Sequence, residues 1–253
     1  MKPEDIEHIK ELLPTSLGSA EIREQIAADI LRRSIVSARM EHAHYLAKVR
    51  DVCAEISAGT INQADARAQL MNVLSQMGHS PTDEGGLANP ASIRRLNLII
   101  DTQRQMAASV AQMAQQNEGT VDQFPAWELT RLGTRRAPRE DWPARWRAAG
   151  ESVGWEGASR DSFVALKNSP IWQALGDGAG GYTDTLGNPY PPFAYSSGMA
   201  WLQVDRATCE RMGLVQPEDE APVPDMPSLS PAERDILEAA RRTGFADLFK
   251  DLA

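Results

Sequence analysis

The aromatic residues of this chain are concentrated in one part of the sequence. Residues 119–213 contain all six Trp, three of the five Phe and three of the four Tyr, together with 12 of the 18 Gly. Residues 20–118 contain a single aromatic residue, Tyr45. Large aromatic side chains dominate the cores that they enter, and glycine permits tight turns. The pattern therefore predicts a helical, aromatic-poor region followed by a compact, turn-rich module.

Residues 1–118 are predicted to form the helical region. Apolar residues recur near helical spacing over residues 22–56, in a stretch without proline, and predict one long first helix. A glycine separates this helix from a second one, predicted over residues 63–77. Asn89 and Pro90 have the residue types of an N-cap and a first helical position, and they predict the start of a third helix.

The Trp-rich module is predicted to span residues 119–215 and to contain short strands. Alternating or short apolar runs indicate strands over residues 124–132, 163–166 and 199–204. A short helix is expected over residues 142–149. The helical region and this module together predict an α+β protein.

Tryptophans and a pair of prolines are expected to hold the module in shape. Pro191 and Pro192 restrict the backbone, and neighbouring aromatic rings can pack on them, which predicts a rigid surface loop. Each buried Trp removes roughly 200 Å² from water. The candidate core residues are Trp142, Trp146, Trp172 and Trp201.

Residues 216–253 are predicted to form an acidic, Pro-rich linker and a C-terminal amphipathic helix. They contain nine acidic and four basic residues. Ser230, Pro231 and Glu233 have the residue types of a capping box with proline at its first helical position. Such a tethered helix docks either on a partner or on its own protein, and the sequence leaves both open.

One segment is locally basic although the chain has a formal net charge of -9. Residues 131–147 contain six arginines and only two acidic residues, Glu140 and Asp141. This Arg strip consists of Arg131, Arg135, Arg136, Arg139, Arg145 and Arg147. It is the candidate surface for binding a protein partner or DNA, because guanidinium groups bind carboxylates and phosphates. The alternative is a face that is solvated or paired internally.

No residue pattern argues for catalysis, a cofactor or a metal. Residues 80–253 contain no histidine, which excludes a Ser-His or Cys-His pair inside the module. His42 and His44 would point about 200° apart on one helix and cannot bind the same metal ion from it. Residues 176–181 match G-x-G-x-x-G but follow a helical pattern instead of a strand, so no phosphate site is expected. The sequence predicts a non-enzymatic protein.

The compartment is predicted from cysteine usage and from hydropathy. Cys53 and Cys209 lie far apart without metal-ligand spacing, which is typical of a reduced intracellular protein. The first residues lack the apolar run of a secretion signal, and no segment reaches the apolar length of a membrane span. We therefore expect a soluble protein made in a cytoplasm, with no membrane partner.

The order of these features resembles the phage minor head, or head-morphogenesis, proteins of the Mu F-like family. In that family a helical region leads to a helix of the type P-x-R-L-x-x-I-x-x-T-x-x-x-x-A, to which residues 89–107 are similar. Residues 30–39 look like the N-terminal helix of one branch. Residues 168–172 and 190–193 are similar to its D-P-x-W and Pro-Pro elements. The likeness extends over residues 20–214.

The resemblance implies a low-copy structural protein of a tailed phage head, associated with the portal and assisting head assembly and DNA packaging or delivery. Its partners would be the portal protein, the capsid interior and double-stranded DNA. Its location would be the head interior near the portal, and the host cytoplasm during assembly. Its structural motif would comprise Trp172, Pro191, Pro192 and Phe193.

The chain departs from the family after the Pro-Pro pair. Family members commonly have a Trp and a Cys-Arg-Cys element there, with a His upstream, whereas residues 193–199 of this chain contain neither Cys nor His. A metal-dependent role is therefore not expected.

Two other classes of function stay open on the sequence. One is an enzyme, a hydrolase or transferase delivered with phage DNA, which the lack of histidines in the module disfavours. The other is a non-specific DNA-binding accessory protein of bacterial origin, which the acidic net charge disfavours. DNA binding that weakens steeply with salt would favour this last function.

Overall fold

The computed structural model of the chain describes residues 2–80, 86–132, 140–159 and 162–224. These residues belong to two units, the first ending at Ala114 and the second beginning at Gln115. Each unit combines helices with a small β-sheet, which confirms the predicted α+β class.

The first unit is mainly helical. Its two short strands pair in parallel, with Glu11 opposite Ser34 and Leu13 opposite Val36. In chain order its elements are α1 (Pro3–His8), β1 (Glu11–Leu13), α2 (Ser19–Gln25), α3 (Ala28–Arg32), β2 (Ser34–Val36), α4 (Ala43–Ser57), α5 (Gln63–Gln76), a 3-10 helix (Gly86–Ala88) and α6 (Ile93–Ala114).

The long first helix predicted over residues 22–56 is wrong. The backbone becomes extended at Ile26, with φ -108° and ψ 124°, and this ends α2. Farther on, Ile35 is fully buried in β2, where a β-branched side chain fits the pleated backbone. Pairing with β1 therefore takes this segment out of the helix that its apolar spacing predicted.

The second predicted helix is confirmed, and the start of the third is corrected. Residues 63–77 were predicted, and α5 ends one residue earlier. The third helix, α6, does not begin at Asn89 and Pro90. The side chain of Asn89 instead accepts a hydrogen bond from the backbone of Ala91 in the preceding turn. Ser92 Oγ accepts from the backbone N–H of Arg95 and so caps α6.

The core of the first unit lies where α4, α5 and α6 pack together. Its members share the apolar faces that the helical spacing predicted, and all are buried. The fully buried residues include Leu46, Val49, Val52, Cys53, Leu70, Leu74, Leu96 and Ile100.

The second unit is built around a three-stranded antiparallel sheet with strand order β4-β3-β5. All three strands fall within the predicted segments, and the helix predicted over residues 142–149 is found as α8. In chain order the elements are α7 (Glu118–Gln123), β3 (Ala126–Arg131), α8 (Trp142–Ser152), a 3-10 helix (Glu156–Ser159), β4 (Val164–Leu166), α9 (Ile171–Asp177), β5 (Met199–Val204) and α10 (Arg206–Arg211).

Both faces of the sheet carry buried apolar side chains. Because side chains alternate along a strand, Trp127 and Trp201 lie on one face and Ala126 and Val204 lie on the other. The second of these faces packs with Cys209 of α10. After α10, residues 216–224 contain no helix or strand. The C-terminal helix predicted from Ser230 onward lies outside the described residues.

Candidate functional site

Five aromatic rings, here called the aromatic cluster, occupy the centre of the second unit. Trp127 and Trp201, on neighbouring strands, stack with ring centroids 3.8 Å apart and an interplanar angle of 8°. Trp172 of α9 meets Trp201 edge-to-face at 5.4 Å and Trp146 of α8 at 5.5 Å. Phe193 completes the cluster. Such pairs contribute about 0.5–1.5 kcal/mol each beyond their area burial.

The predicted Trp core is confirmed. Trp142, Trp146, Trp172 and Trp201 are all at most 4% exposed. Trp127 is fully buried as well and was missed as a core residue, although the alternating pattern of its strand places it on an inward face. The indole N–H of Trp172 donates to the carbonyl oxygen of Leu166 at 2.9 Å, which fixes the ring between β4 and α9.

The loop after α9 brings the two prolines to this cluster. The peptide bond between Pro191 and Pro192 is cis, and Phe193 has a φ of +51°. The Phe193 ring lies 6.2 Å from the Trp172 ring at an angle of 16°. The four residues of the motif implied by the family resemblance therefore lie together, although about twenty positions separate Trp172 from the others in sequence.

Hydrogen bonds hold the segment around the two prolines together, and the burial of both prolines shows that a surface position was predicted wrongly for them. Asn188 Nδ2 donates to the carbonyl oxygen of Tyr190 at 2.7 Å. Ser197 Oγ donates to the carbonyl oxygen of Pro192 at 2.5 Å. Both prolines are buried, and the exposed residues that follow them are Tyr195 and Ser196. The prolines directly precede Phe193, whose ring belongs to the aromatic cluster, so they lie in the interior of the module.

The glycines of the G-x-G-x-x-G match serve close packing and chain reversal. A Cβ atom on Gly176 would lie 2.0 Å from the carbonyl oxygen of Asn188, so only glycine lets α9 approach the loop this closely. Gly178 has a φ of +78° and caps α9 in the left-handed conformation. The match begins at the end of α9, in line with the helical pattern predicted before it, and does not follow the strand that a dinucleotide-binding turn requires.

Arg145 is an interior residue, which corrects its assignment to the binding strip. Its side chain is 7% exposed, and its guanidinium lies 2.8 Å from Asp141 and 2.9 Å from Asp184. The same group lies over the ring of Tyr182, 4.0 Å from the centroid. Burial alone lowers the pKa of Arg145, but the two carboxylates outweigh it and raise that pKa above its ordinary value. A guanidinium so enclosed has no free edge for DNA or a protein partner.

The other arginines of the strip differ in their surroundings. Arg131 ends β3, is half-buried and donates to the carbonyl oxygen of Ser197 at 3.4 Å. Arg147 is exposed on α8. Three members, Arg135, Arg136 and Arg139, lie between these elements in a segment outside the described residues. A binding role for the five arginines other than Arg145 stays a prediction.

Lys167 is a buried cation that the sequence did not single out. Its ammonium group donates to Gln116 Oε1 at 2.5 Å and to Gln203 Oε1 at 3.0 Å, and lies 5.6 Å from the Trp127 ring centroid. Burial lowers the pKa of Lys167 to about 8. A lysine directly after a short strand is usually solvated, so no local signal in the sequence marks it as buried.

The described ranges contain neither a cluster of metal ligands nor a membrane-spanning helix. Within them, no three His, Cys, Asp or Glu side chains come close enough together to hold a metal ion. His42 and His44, at the start of α4, are both exposed. None of the helices described is both long and apolar enough to cross a membrane.

Comparisons of the chain with protein families, with curated proteins and with solved structures found no match.

Proposed function

We propose that the chain is a non-enzymatic structural protein of a tailed phage head. In this proposal it is associated with the portal and assists head assembly and the packaging or delivery of DNA. The proposal rests on the family resemblance of the sequence, together with the use that the fold makes of the residues that carry it.

The observation that carries the proposal is the convergence of the motif residues on the aromatic cluster. Trp172, Pro191, Pro192 and Phe193 are all buried, and the ring of Phe193, which follows the two prolines, lies on the ring of Trp172. Residues committed to such packing hold the shape of a module and do not handle a substrate. A shape-holding module is what a scaffold in a large assembly requires.

The surface that would meet a partner is the Arg strip without Arg145. Arg145 is excluded because Asp141 and Asp184 already neutralise it. The guanidinium groups of the remaining arginines can form two parallel hydrogen bonds with a carboxylate of a protein or a phosphate of DNA. Because the chain as a whole is acidic, a local basic strip is the natural place for an acidic partner surface to bind.

Co-expression with the portal protein of the same phage tests the proposal. A tagged portal ring is expected to retain the wild-type chain, and the double variant Arg135→Glu, Arg136→Glu is expected to lose most of that retention. The matched control is Arg23→Glu, Arg94→Glu, which changes the net charge equally at two exposed positions of the first unit. The control should be retained like the wild type.

Three results would count against the proposal. Failure of the portal to retain the wild-type chain would contradict the portal association. Equal loss in both double variants would mean that net charge, and not the strip, governs binding. Retention by double-stranded DNA alone, weakening steeply between low and physiological salt, would favour a DNA-binding accessory protein instead.

A further inference from the structure

A charged pair is buried in the first unit between α1 and α6. Glu7 Oε2 lies 3.4 Å from Lys10 Nζ, and the two side chains are 0% and 2% exposed, respectively. Lys10 Nζ also donates to Gln103 Oε1 at 2.6 Å. Buried ion pairs of this kind fix an arrangement more than they stabilise it, because both ions lose their hydration.

The Glu7 carboxylate is incompletely compensated. The polar contact to its oxygens is the long one from Lys10 Nζ, at 3.4 Å, which is too long for a good hydrogen bond. Burial is the main influence and raises the pKa of Glu7, while the charges of Lys10, Arg104 and His8 act in the opposite direction. Glu7 also interacts with the thiol of Cys53 of α4, whose pKa is raised by burial and by the charges of Glu7 and Asp101. The desolvation of Glu7 outweighs the favourable charges around it.

The segment that carries this pair is short. Residues 2–13, here called the N-terminal arm, consist of α1, β1 and their flanking residues. Within the arm three residues are buried, Ile6, Glu7 and Lys10. Two of the three are charged, and the arm is also held by Leu12, which packs against the core, and by the pairing of β1 with β2. A short segment of this kind can open locally without unfolding of the whole unit.

We propose that the N-terminal arm is a pH-sensitive latch, which lies closed on α4 and α6 when Glu7 is protonated and opens more readily when Glu7 is charged. The latch goes beyond the proposed function and does not depend on it.

The sign follows from proton linkage. In the open arm Glu7 is solvated and has a pKa near its usual value of 4.5, whereas in the closed arm that pKa is raised. The closed arm therefore binds the proton more tightly. As the pH rises from about 4.5 to the raised value, the closing equilibrium constant falls by up to about tenfold for each pH unit. At pH values above the raised pKa of Glu7, the closing equilibrium constant no longer changes with pH.

Hydrogen exchange measured by mass spectrometry on the full-length protein tests the latch. After correction for the intrinsic pH dependence of exchange, amides of residues 2–13 should exchange faster as the pH rises between 4.5 and 8. Amides of β5, in the second unit, serve as the internal reference. In Glu7→Gln, which keeps the shape of the side chain without its charge, the exchange of the arm should no longer depend on pH.

Two further variants make the test independent of any misfolding in Glu7→Gln. Glu4→Gln, on the same helix, removes a partly exposed carboxylate that lies 3.9 Å from Lys2 Nζ, and should retain the pH dependence of the wild type. Lys10→Met removes the cation beside Glu7 and should extend the pH dependence to higher pH. The proposal is overturned if corrected exchange of the wild-type arm is independent of pH, if Glu7→Gln retains the dependence, or if Lys10→Met leaves its range unchanged.

Discussion

Arg145 and Lys167 are both buried cations of the second unit, and they differ in what compensates their charge. Arg145 has two carboxylates and the face of an aromatic ring. Lys167 has two amide oxygens and a more distant ring. A neutral amide stabilises an ammonium less than a carboxylate does, so the charge of Lys167 is costly to the fold and that of Arg145 is not.

Replacing Arg145 should destabilise the second unit. Arg145→Met would leave Asp141 and Asp184 without their cation. Because both carboxylates are about one-third exposed, water would replace part of the electrostatic stabilisation that Arg145 gives them. We expect the free energy of unfolding to fall by about 2–3 kcal/mol in urea denaturation. Arg147→Met, on the exposed side of the same helix, should change it by less than about 0.5 kcal/mol. Equal effects of the two substitutions would show that the ion pairs of Arg145 contribute nothing specific.

Lys167 should make the stability of the second unit depend on pH. Its pKa in the folded protein, about 8, lies below the unfolded value of 10.5, so the folded state loses this proton first. The free energy of unfolding should therefore rise with pH, by up to about 1 kcal/mol between pH 8 and 9. Above pH 9 the thiol of Cys209, whose pKa burial raises to about 11, acts in the opposite direction.

The contribution of Lys167 is isolated by comparing the wild type with Lys167→Met over this range. The variant should lack the rise between pH 8 and 9. Above pH 9 its free energy of unfolding should decrease, whereas in the wild type the opposing effects of Lys167 and Cys209 offset each other up to about pH 10.5. A rise of the same size in both proteins would assign the effect to another group.

At the scale of the elements, Trp172 of α9 contacts three other parts of the second unit. Its ring packs on Trp201 of the sheet, on Trp146 of α8 and on Phe193 of the loop after α9. Trp172→Ala should reduce the free energy of unfolding of the second unit by about 3–5 kcal/mol, because the cavity would lie at the centre of the aromatic cluster. Trp155→Ala removes the same side chain at a half-buried position beside Trp146 and should cost clearly less. Chemical denaturation followed by circular dichroism measures both. Similar losses would mean that the cluster is not centred on α9.

The elements differ in how far the sequence predicts them. The strands β3, β4 and β5 and the helix α5 follow from alternation, apolar runs and helical spacing, which are local patterns. The pairing of β1 with β2 joins segments separated by the whole of α2 and α3, and no local pattern marks it. For this reason the sequence indicated one long helix where the structure has a strand.

In the candidate site, too, some features follow from local sequence patterns and others depend on contacts between distant residues. The Trp core was predictable, because large aromatic side chains are seldom left in solvent when a chain can bury them. The role of Arg145 was not, because Asp184, which lies far along the chain, is placed beside it by the fold. The inward turn of Pro191 and Pro192 likewise depends on the position of α9.

At the scale of the whole molecule, the second unit commits its aromatic residues to packing and the chain keeps a basic strip within an acidic sequence. This combination fits a component of an assembly that holds its shape and binds through charge. Together with the family resemblance of the sequence, it supports our proposal of a portal-associated protein of a phage head.

The most direct test of that central claim is to measure whether the protein is part of purified phage particles. Quantitative mass spectrometry of particles, separated by density from the proteins of the lysate, gives its amount relative to the portal protein. The account predicts that the chain is present in DNA-filled particles at a constant low ratio to the portal. Particles that contain capsid and portal proteins but lack this chain would contradict it.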